Sequence, residues 1–468
     1  MRESGVLLHL SSLWSPYGIG TMGKEAKEFV DFLQEAGQRC WQILPICPTG
    51  YGDSPYQSYT TFAGNPYFID LEDLTRMGLI AKEDYETITW ATENDKVDYG
   101  VLYEKRYPIL KKAAEQFLKA SSVEYKIFCE ENEFWLSDYA AFMVLREPQI
   151  QMTQEEWKAV QFFFFKQWKE LKTYANKRGI AIIGDLPIYV SMDSVDVWAH
   201  PELFQLDENK VPKEVSGCPP DGFSEEGQLW GNPLYNWEYM EQTGYKWWIQ
   251  RIGYLCEIYD VLRIDHFRGL DSYYAIPYGS PNAKNGVWKK GPGMKLFEAV
   301  EKAIGKKRII AEDLGFLTPS VKQLLQESGF PGMKILQFAF DSRLESDSEY
   351  LPHRFIKNCV AYAGTHDNDT LKGWFSSIAP EDKVYAKEYL CISEWEDEVL
   401  SMLCALWASV ADLTIVQAQD LLGLGNEARM NEPSTVGRNW QWRANPGVFT
   451  EELAKLLKRK MKLYGRFS

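Results

Sequence analysis

Three short segments of this chain place a carboxylate just past an apolar, β-branched run. They cover residues 261–265, 308–312 and 360–367, and they end at Asp265, Glu312 and Asp367. A buried strand that ends on an acid is poorly explained by packing, because ionised carboxylates are almost never buried without a partner. Three such strand ends in one chain therefore predict a shared acidic pocket.

Asp265 and Glu312 are the pair best placed for bond cleavage. They end two consecutive predicted strands, and neighbouring parallel strands lie about 4.8 Å apart. Retaining glycosidases hold two carboxyl groups about 5–5.5 Å apart, whereas inverting enzymes need a wider gap for water. The spacing therefore favours a retaining pair.

The neighbours of each acid indicate how the roles divide. Arg263 lies two residues before Asp265, so both side chains point the same way, and a guanidinium there would keep Asp265 ionised, as a nucleophile must be. Glu312 follows three apolar residues, which would raise its pKa and suit a proton donor. His366 and Asp367 could grip sugar hydroxyls and stabilise positive charge on the ring.

Alternating strands and helices must position these acids. Most of the apolar runs are continuous, as in strands that are covered on both faces, and helical periodicity follows at 24–36, 294–304 and 320–327. This alternation predicts an α/β fold, a closed (β/α)8 TIM barrel whose active site lies at the carboxyl ends of the strands. The eight predicted strands cover residues 5–10, 40–44, 181–186, 261–265, 308–313, 334–340, 359–365 and 413–419.

The interval between the second and third strands is far longer than the others. Helical patterns fill it at 82–117, 124–142 and 153–176. We therefore predict a single catalytic barrel over residues 1–468, with a large helical insertion after the second strand. This inserted, mainly helical subdomain covers residues 46–180 and helps to wall one side of the site.

Composition excludes several classes of function. The net charge of −15 argues against nucleic acid and anionic membrane surfaces as partners. No stretch approaches about 18 apolar residues, so no membrane span is expected, and the N-terminal apolar run is too short for a signal peptide. Eight scattered cysteines without a C-x-x-C pair predict free thiols in a reducing, cytoplasmic compartment. The five histidines show no metal-ligand spacing, so we expect no cofactor and no catalytic metal.

Residues 18–23 fit the pattern G-x-G-x-x-G and precede a predicted helix, as a dinucleotide fingerprint would. However, Gly18 lies well beyond the predicted strand end at Leu10, not at the tight turn that a phosphate needs. A glycine-rich active-site loop is therefore the preferred interpretation, and a dinucleotide oxidoreductase is kept only as an alternative.

The acid-bearing motifs resemble those of the 4-α-glucanotransferases called amylomaltases, or disproportionating enzymes, of the α-amylase clan. The three signature motifs are RIDHFRG (263–269), AEDLG (311–315) and THDN (365–368). The resemblance covers essentially the whole chain in the expected order. The other matching segments are GDSPYQ (52–57), FAGNPY (62–67), GDLPI (184–188), PPDGFS (219–224), QLWGNP (228–233), NEPST (431–435) and NWQWR (439–443).

This resemblance implies a role for each matching residue. Asp265 would be the nucleophile, Glu312 the acid/base and Asp367 the transition-state stabiliser. One departure is Ser434, where many relatives would carry glycine; it costs backbone freedom but removes no functional group. The residues that would bind the glucan are Ser54, Tyr56, Asp185, Trp230, Asn232, Arg263, His266 and His366.

Aromatic residues in the loop motifs are candidate sugar platforms, since the flat face of a ring suits the C–H face of glucose. Most other aromatic residues are expected in the core, including 162–165 on a buried helix face. The loop candidates are Tyr51, Tyr56, Tyr59, Phe223, Trp230 and Trp374.

The expected reaction is transfer of an α-1,4-glucan segment to the 4-hydroxyl of an acceptor, through a covalent glucosyl-enzyme. The expected partners are α-1,4-glucans and maltooligosaccharides, with no obligate protein partner evident. An α-amylase-type hydrolase is the alternative, because preference for sugar over water is a kinetic ratio that the three acids do not encode. A catalytically silent glucan-binding barrel is a further alternative, against which the presence of all three acids and Arg263 argues.

Overall fold

The structure is a computed structural model that describes residues 2–220, 225–315, 317–393 and 396–467, with every side chain except those of Tyr51 and Glu345. Strands and helices alternate through most of this part of the chain. Its strands are β1 (Glu3–Leu7), β2 (Cys40–Gln42), β3 (Ala181–Leu186), β4 (Glu214–Cys218), β5 (Gln228–Pro233), β6 (Val261–Ile264), β7 (Ser272–Pro277), β8 (Val287–Lys290), β9 (Ile309–Ala311), β10 (Gly332–Ile335), β11 (Cys359–Tyr362) and β12 (Leu413–Gln417).

Eight of these strands form one parallel sheet in the order β10–β11–β12–β1–β2–β3–β6–β9. The backbone N–H of Ala311 in β9 donates to the carbonyl of Pro331 beside β10 over 3.0 Å, which closes the sheet into a barrel. All eight predicted strands are present in the predicted order, so the (β/α)8 prediction is confirmed. Several end earlier than predicted, because the residues after them leave the ladder to form active-site loops.

Helices surround the barrel, and those predicted after β1, β8 and β9 are confirmed. The helix at 319–328 begins as its sequence predicts, with the Thr318 hydroxyl accepting the Val321 N–H over 3.4 Å. The helices are α1 (Lys24–Glu35), α2 (Leu71–Arg76), α3 (Tyr99–Phe117), α4 (Val123–Glu131), α5 (Glu133–Arg146), α6 (Gln154–Lys177), α7 (Val195–Ala199), α8 (Trp237–Gln242), α9 (Lys246–Ile258), α10 (Met294–Ile304), α11 (Pro319–Ser328), α12 (Leu371–Ser377), α13 (Pro380–Leu390), α14 (Glu398–Ala408), α15 (Ala418–Leu421) and α16 (Glu451–Leu463).

The long segment between β2 and β3 contains α2 to α6. Its longest helix, α6, contacts α3, α5 and α1, and buries Phe162, Phe163 and Phe164. The predicted helix at 82–117 begins only at Tyr99, and the one at 124–142 is interrupted at Asn132 between α4 and α5. The division of the chain into a barrel and an inserted subdomain at 46–180 stays a prediction.

A second sheet is antiparallel and lies outside the sequence-based prediction. Its four strands follow the order β5–β4–β7–β8. The residues of β8 are mostly exposed, and β5 alternates between partly buried and exposed positions before it ends on the buried Asn232 and Pro233. Neither strand therefore resembles the continuous apolar runs of the barrel. This sheet matters for function because β5 carries Trp230 and Asn232.

The glycines of residues 18–23 serve close packing. A Cβ on Gly20 would lie 1.9 Å from the carbonyl oxygen of Leu10, and one on Gly23 would lie 2.1 Å from the Asp70 carboxylate. Sixteen residues, 8–23, separate β1 from α1, so the segment is not a tight strand–helix turn. The dinucleotide interpretation therefore has no structural support.

Two further observations concern the helices and the cysteines. No helix in the described ranges is long and apolar enough to cross a membrane. All eight cysteines are free thiols, as expected from their scattered positions.

Packing around Gly20 yields the first prediction. Gly20→Ala should lower the free energy of unfolding by about 2–3 kcal/mol, because the added methyl meets backbone atoms that cannot turn aside. Gly253→Ala is the matched control: it lies inside α9 with its nearest neighbour 3.8 Å away, and should raise stability by about 0.5–1 kcal/mol. Urea denaturation of both variants measures the difference, and equal stabilities would contradict the packing role.

Candidate active site

A cavity of about 740 Å³ opens at the carboxyl ends of the barrel strands. Asp185 and Arg263 lie beneath it, with side chains 0% and 4% exposed. Most of the predicted site residues therefore meet in one place, although they come from distant parts of the chain. The predicted residues that line the cavity are Ser54, Tyr56, Trp230, Asn232, Asp265, His266, Glu312, His366 and Asp367.

Asp265 and Glu312 stand at the same height on neighbouring strands. Strands β6 and β9 pair with Ile264 opposite Ala311, and each acid is the next residue. The backbone N–H of Glu312 donates to the carbonyl of Ile264 over 3.0 Å, which holds this register at the strand ends. Adjacent parallel strands are about 4.8 Å apart, so the two acids can flank one glycosidic bond.

Glu312 is held by the backbone and is nearly buried. Its carboxyl oxygens accept the N–H groups of His266 at 2.7 Å and of Leu314 at 2.9 Å. Burial raises the pKa of Glu312 to about 7, against the opposing effects of Arg263 and the two N–H donors. The shift has the direction that its apolar approach predicts, and it lets Glu312 keep a proton up to neutral pH.

Asp265 shares the guanidinium of Arg263 with a second acid. Arg263 Nη1 lies 2.7 and 2.6 Å from the carboxylate oxygens of Asp185, but 3.2 Å from Asp265. Burial raises the pKa of Asp265 well above its usual value, with Asp185, Glu312 and Asp367 adding to the rise and Arg263 opposing it. The expectation that the Arg263 guanidinium keeps Asp265 ionised is therefore not borne out by the pKa, because burial outweighs the effect of Arg263. The contact with the guanidinium favours the ionised form of Asp265 and opposes the effect of burial.

The third acid, Asp367, follows β11 in a turn at the cavity wall. Its Oδ1 accepts the side-chain amide of Asn431 over 2.6 Å and lies 3.4 Å from His366 Nε2. Its side chain is 46% exposed, which leaves the carboxylate available to a ligand in the cavity.

Tyr56 forms a flat wall above the buried ion pair. Its hydroxyl donates to Asp185 Oδ2 over 2.7 Å, and its ring stacks on His366 with centroids 4.9 Å apart. The Trp440 ring lies 5.9 Å from both rings. Sequence reasoning did not single out Trp440, although it lies in a matching motif, because its contact with Tyr56 crosses most of the chain.

His266 and Trp230 face each other on another wall of the cavity. The two rings meet edge to face with centroids 4.8 Å apart. Burial lowers the pKa of His266 to about 3, so the imidazole is neutral at physiological pH. A neutral ring can hydrogen-bond to a sugar without adding positive charge to the site.

Asn232 lines the cavity but is also tied to the protein. Its side-chain amide donates to the Val190 carbonyl over 2.9 Å and accepts the Ser216 hydroxyl over 3.2 Å. The first contact ties β5 to the segment that follows barrel strand β3, and the second ties it to β4 of its own antiparallel sheet. A role for Asn232 in glucan binding stays a prediction.

Not every aromatic candidate is a platform. Tyr59 and Trp374 are 6% and 8% exposed and belong to the hydrophobic core, so that expectation is wrong for both. Tyr59 lies in a loop that folds inward, and Trp374 lies on the buried face of α12. Phe223 and the side chain of Tyr51 lie outside the described part of the chain.

Ser434 lines the cavity with a backbone φ of 65°. This is the left-handed region, which favours glycine because a Cβ is strained there. The expected glycine in relatives thus has a conformational reason. Asn431, Pro433 and Val436 also line the cavity. The first two belong to the motif NEPST, to which the sequence analysis assigned no role, and Val436 follows that motif.

The chemistry of the site is that of paired carboxyl groups. Among the described residues, no group of three or more His, Cys, Asp or Glu side chains is arranged to hold a metal ion. The acids instead contact a guanidinium, backbone N–H groups and a side-chain amide. Two acids at one height, one of them protonated at neutral pH, can cleave a glycosidic bond with retention.

The barrel and the arrangement of its acids place this protein in the class of (β/α)8 enzymes that act on glycosidic bonds. The family model for 4-α-glucanotransferases matches residues 8–160 and 147–449. The 4-α-glucanotransferase of Clostridium butyricum is 47% identical, covering 98% of this chain and 100% of its own. The 4-α-glucanotransferase of Streptococcus pneumoniae is 45% identical, and the match covers 100% of this chain and 98% of that protein. The structure of an amylomaltase from Streptococcus agalactiae in complex with acarbose has a TM-score of 0.97 and 43% identity, covering 100% of both chains.

This chain therefore belongs to the 4-α-glucanotransferase family, glycosyltransferases that act on α-1,4-glucans. The resemblance of its motifs is confirmed over essentially the full length. The comparisons support the transferase and do not support the hydrolase alternative.

The pKa of Glu312 predicts how activity depends on pH. If Glu312 is the acid, it is protonated below its pKa of about 7 and loses the proton as pH rises. We expect kcat/KM for maltotriose to fall about tenfold per pH unit above that value. An α-maltosyl fluoride donor needs no protonation of its leaving group, so its glycosylation step should lack this limb. An identical alkaline limb for both donors would contradict the assignment.

The backbone conformation of Ser434 predicts that its substitution by glycine raises the stability of the fold slightly. Ser434→Gly should relieve about 1–2 kcal/mol of strain and lose about 0.5–1 kcal/mol through the entropy of the unfolded chain, for a net gain near 0.5 kcal/mol. Ser434→Ala also removes the hydroxyl but keeps the backbone strain, so its free energy of unfolding should not rise. Thermal denaturation compares the two variants, and an alanine variant as stable as the glycine variant would contradict the strain.

Proposed function

We propose that this enzyme transfers segments of α-1,4-glucans by double displacement, with Asp265 as nucleophile, Glu312 as acid/base and Asp367 as transition-state stabiliser. The observation that carries the proposal is the register of β6 and β9, which sets Asp265 and Glu312 at one height. The pKa of Glu312 at about 7 supports the division of roles.

In the first step Glu312 donates its proton to the glycosidic oxygen while Asp265 attacks the anomeric carbon. The carbon–oxygen bond breaks, the shortened glucan leaves as an alcohol, and a covalent glucosyl-enzyme forms. Positive charge develops on the sugar ring during this step. Asp367 stabilises that charge, and the neutral imidazole of His266 adds none to oppose it.

In the second step the 4-hydroxyl of an acceptor glucan gives its proton to the Glu312 carboxylate. The acceptor oxygen attacks the anomeric carbon, and the bond to Asp265 breaks. Glu312 regains its proton and Asp265 its charge, so the enzyme returns to its starting state with retention at the anomeric carbon.

Binding is divided between the cavity wall and its floor. Tyr56 and His366 offer a stacked apolar wall to a sugar ring. Asp185 and Arg263 lie below and hold Tyr56 and Asp265 in position through hydrogen bonds. Their proposed contact with sugar hydroxyls therefore applies mainly to the deepest ring.

Preference for a sugar acceptor over water is supported by apolar side chains around the cavity. Leu229 and Val436 line it and are 41% and 61% exposed. A bound glucan would cover both and displace water from the glucosyl-enzyme.

The proposal includes maltooligosaccharides as donors and acceptors and a cytoplasmic location. The location is supported by the eight free cysteines, which suit a reducing compartment. We propose no obligate protein partner.

Product analysis with maltotriose tests the reaction. We expect glucose together with a ladder of longer maltooligosaccharides, because each glucosyl-enzyme is captured by another glucan. Glu312→Gln and Asp265→Asn should each lose activity by about 10³-fold or more. With α-maltosyl fluoride, glycosylation should recover in the Glu312 variant but not in the Asp265 variant.

Glu327→Gln is the matched control, because Glu327 is an exposed residue of α11 and should keep wild-type activity. Only shorter products from maltotriose would refute the transferase. Full activity in either acid variant would refute its assigned role.

A further inference from the structure

We propose that Arg429 is a positioning residue that fixes the turn carrying Asp367. This inference rests on the proposed function, in which Asp367 stabilises the transition state. Asp367 lies five residues beyond the end of β11 at Tyr362, so the sheet does not hold it directly. A group that acts on a transient charge must be placed within about 0.5 Å of its productive position.

The guanidinium of Arg429 reaches three acceptors on two segments. Its Nη2 donates to the Asp367 carbonyl over 2.7 Å, and its Nη1 pairs with the Asp369 carboxylate. Its Nε donates to the carbonyl of Asn431 over 2.8 Å. All three nitrogen atoms of one planar group are therefore used to join the turn 366–369 to the segment 429–431.

Asn431 completes the connection. Its backbone N–H donates to the His366 carbonyl over 3.1 Å, and its side-chain amide donates to Asp367 Oδ1 over 2.6 Å. The segment itself is anchored at Met430, which is 2% exposed and packs in a core cluster with the barrel strands. The position of the Asp367 carboxylate thus depends on residues that Arg429 holds in place.

The positions of the charges explain why Arg429 does not neutralise the carboxylate of Asp367. Arg429 pairs with the carboxylate of Asp369 but touches Asp367 only through its backbone carbonyl. The negative charge of Asp367 is therefore not neutralised by this cation and stays available to the sugar ring. A lysine could not reproduce the arrangement, because its single ammonium lacks the planar fork of donors.

Steady-state kinetics with maltotriose test the role. Arg429→Ala should lower kcat by about 100-fold, as expected for a misplaced catalytic group, while KM changes by less than about twofold because ground-state sugar contacts lie elsewhere. Arg429→Lys should retain the charge but recover little of the activity. Added guanidinium chloride, below denaturing concentration, should partly restore kcat in Arg429→Ala by filling the vacated place.

Arg438→Ala is the control, because Arg438 is an exposed residue nine positions further along. It should keep wild-type kcat and gain nothing from guanidinium. Circular dichroism and the melting temperature establish that each variant is folded. If Arg429→Ala does not fold, the kinetics of Arg429→Lys test the role instead.

Asp367→Asn separates this inference from the proposed function. Full activity in Asp367→Asn would refute the role of Asp367 itself. An inactive Asp367→Asn beside an Arg429→Ala with wild-type kcat would overturn only the positioning role. A folded Arg429→Ala that loses kcat and is not rescued by guanidinium, or whose KM rises as much as kcat falls, would overturn it as well.

Discussion

The Arg263 guanidinium and the Asp185 carboxylate are buried together at the bottom of the barrel mouth, 2.6 Å apart. Removal of either partner would leave a buried charge uncompensated, at a cost of about 3–5 kcal/mol. The pair also orients what lies above it, since Arg263 hydrogen-bonds Asp265 and Asp185 accepts the hydroxyl of Tyr56. One ion pair thus holds both Asp265, the proposed nucleophile, and the ring of Tyr56. The register of β3 and β6 places Asp185 opposite Arg263.

The site carries more acid than base, and this imbalance has chemical consequences. Asp185, Asp265 and Glu312 act on the guanidinium of Arg263, and burial raises the pKa of both Asp265 and Glu312. A proton is therefore retained at neutral pH, as an acid catalyst requires. The remaining negative charge favours a ring that becomes positive in the transition state.

The barrel supplies the acids, while the segments between its strands shape the cavity. The antiparallel sheet brings Trp230 to the cavity through β5, and the segment after β12 brings Asn431 and Trp440 to it. This division is common in barrels of this type, in which loops at the carboxyl ends of the strands carry specificity.

The sequence by itself determined the eight strands, the family and the three acids, because buried parallel strands are continuous apolar runs and an acid at their ends is conspicuous. Only the tertiary structure decided which groups meet. The contacts of Tyr56 with His366 and of Arg429 with the turn at Asp367 join segments that are distant in the sequence. It also decided that Tyr59 is buried in the core, since a loop motif shows composition but not the direction in which its side chains turn. Local patterns specify elements, whereas hydrogen bonds, burial and shifted pKa values arise only when barrel closure brings those elements together.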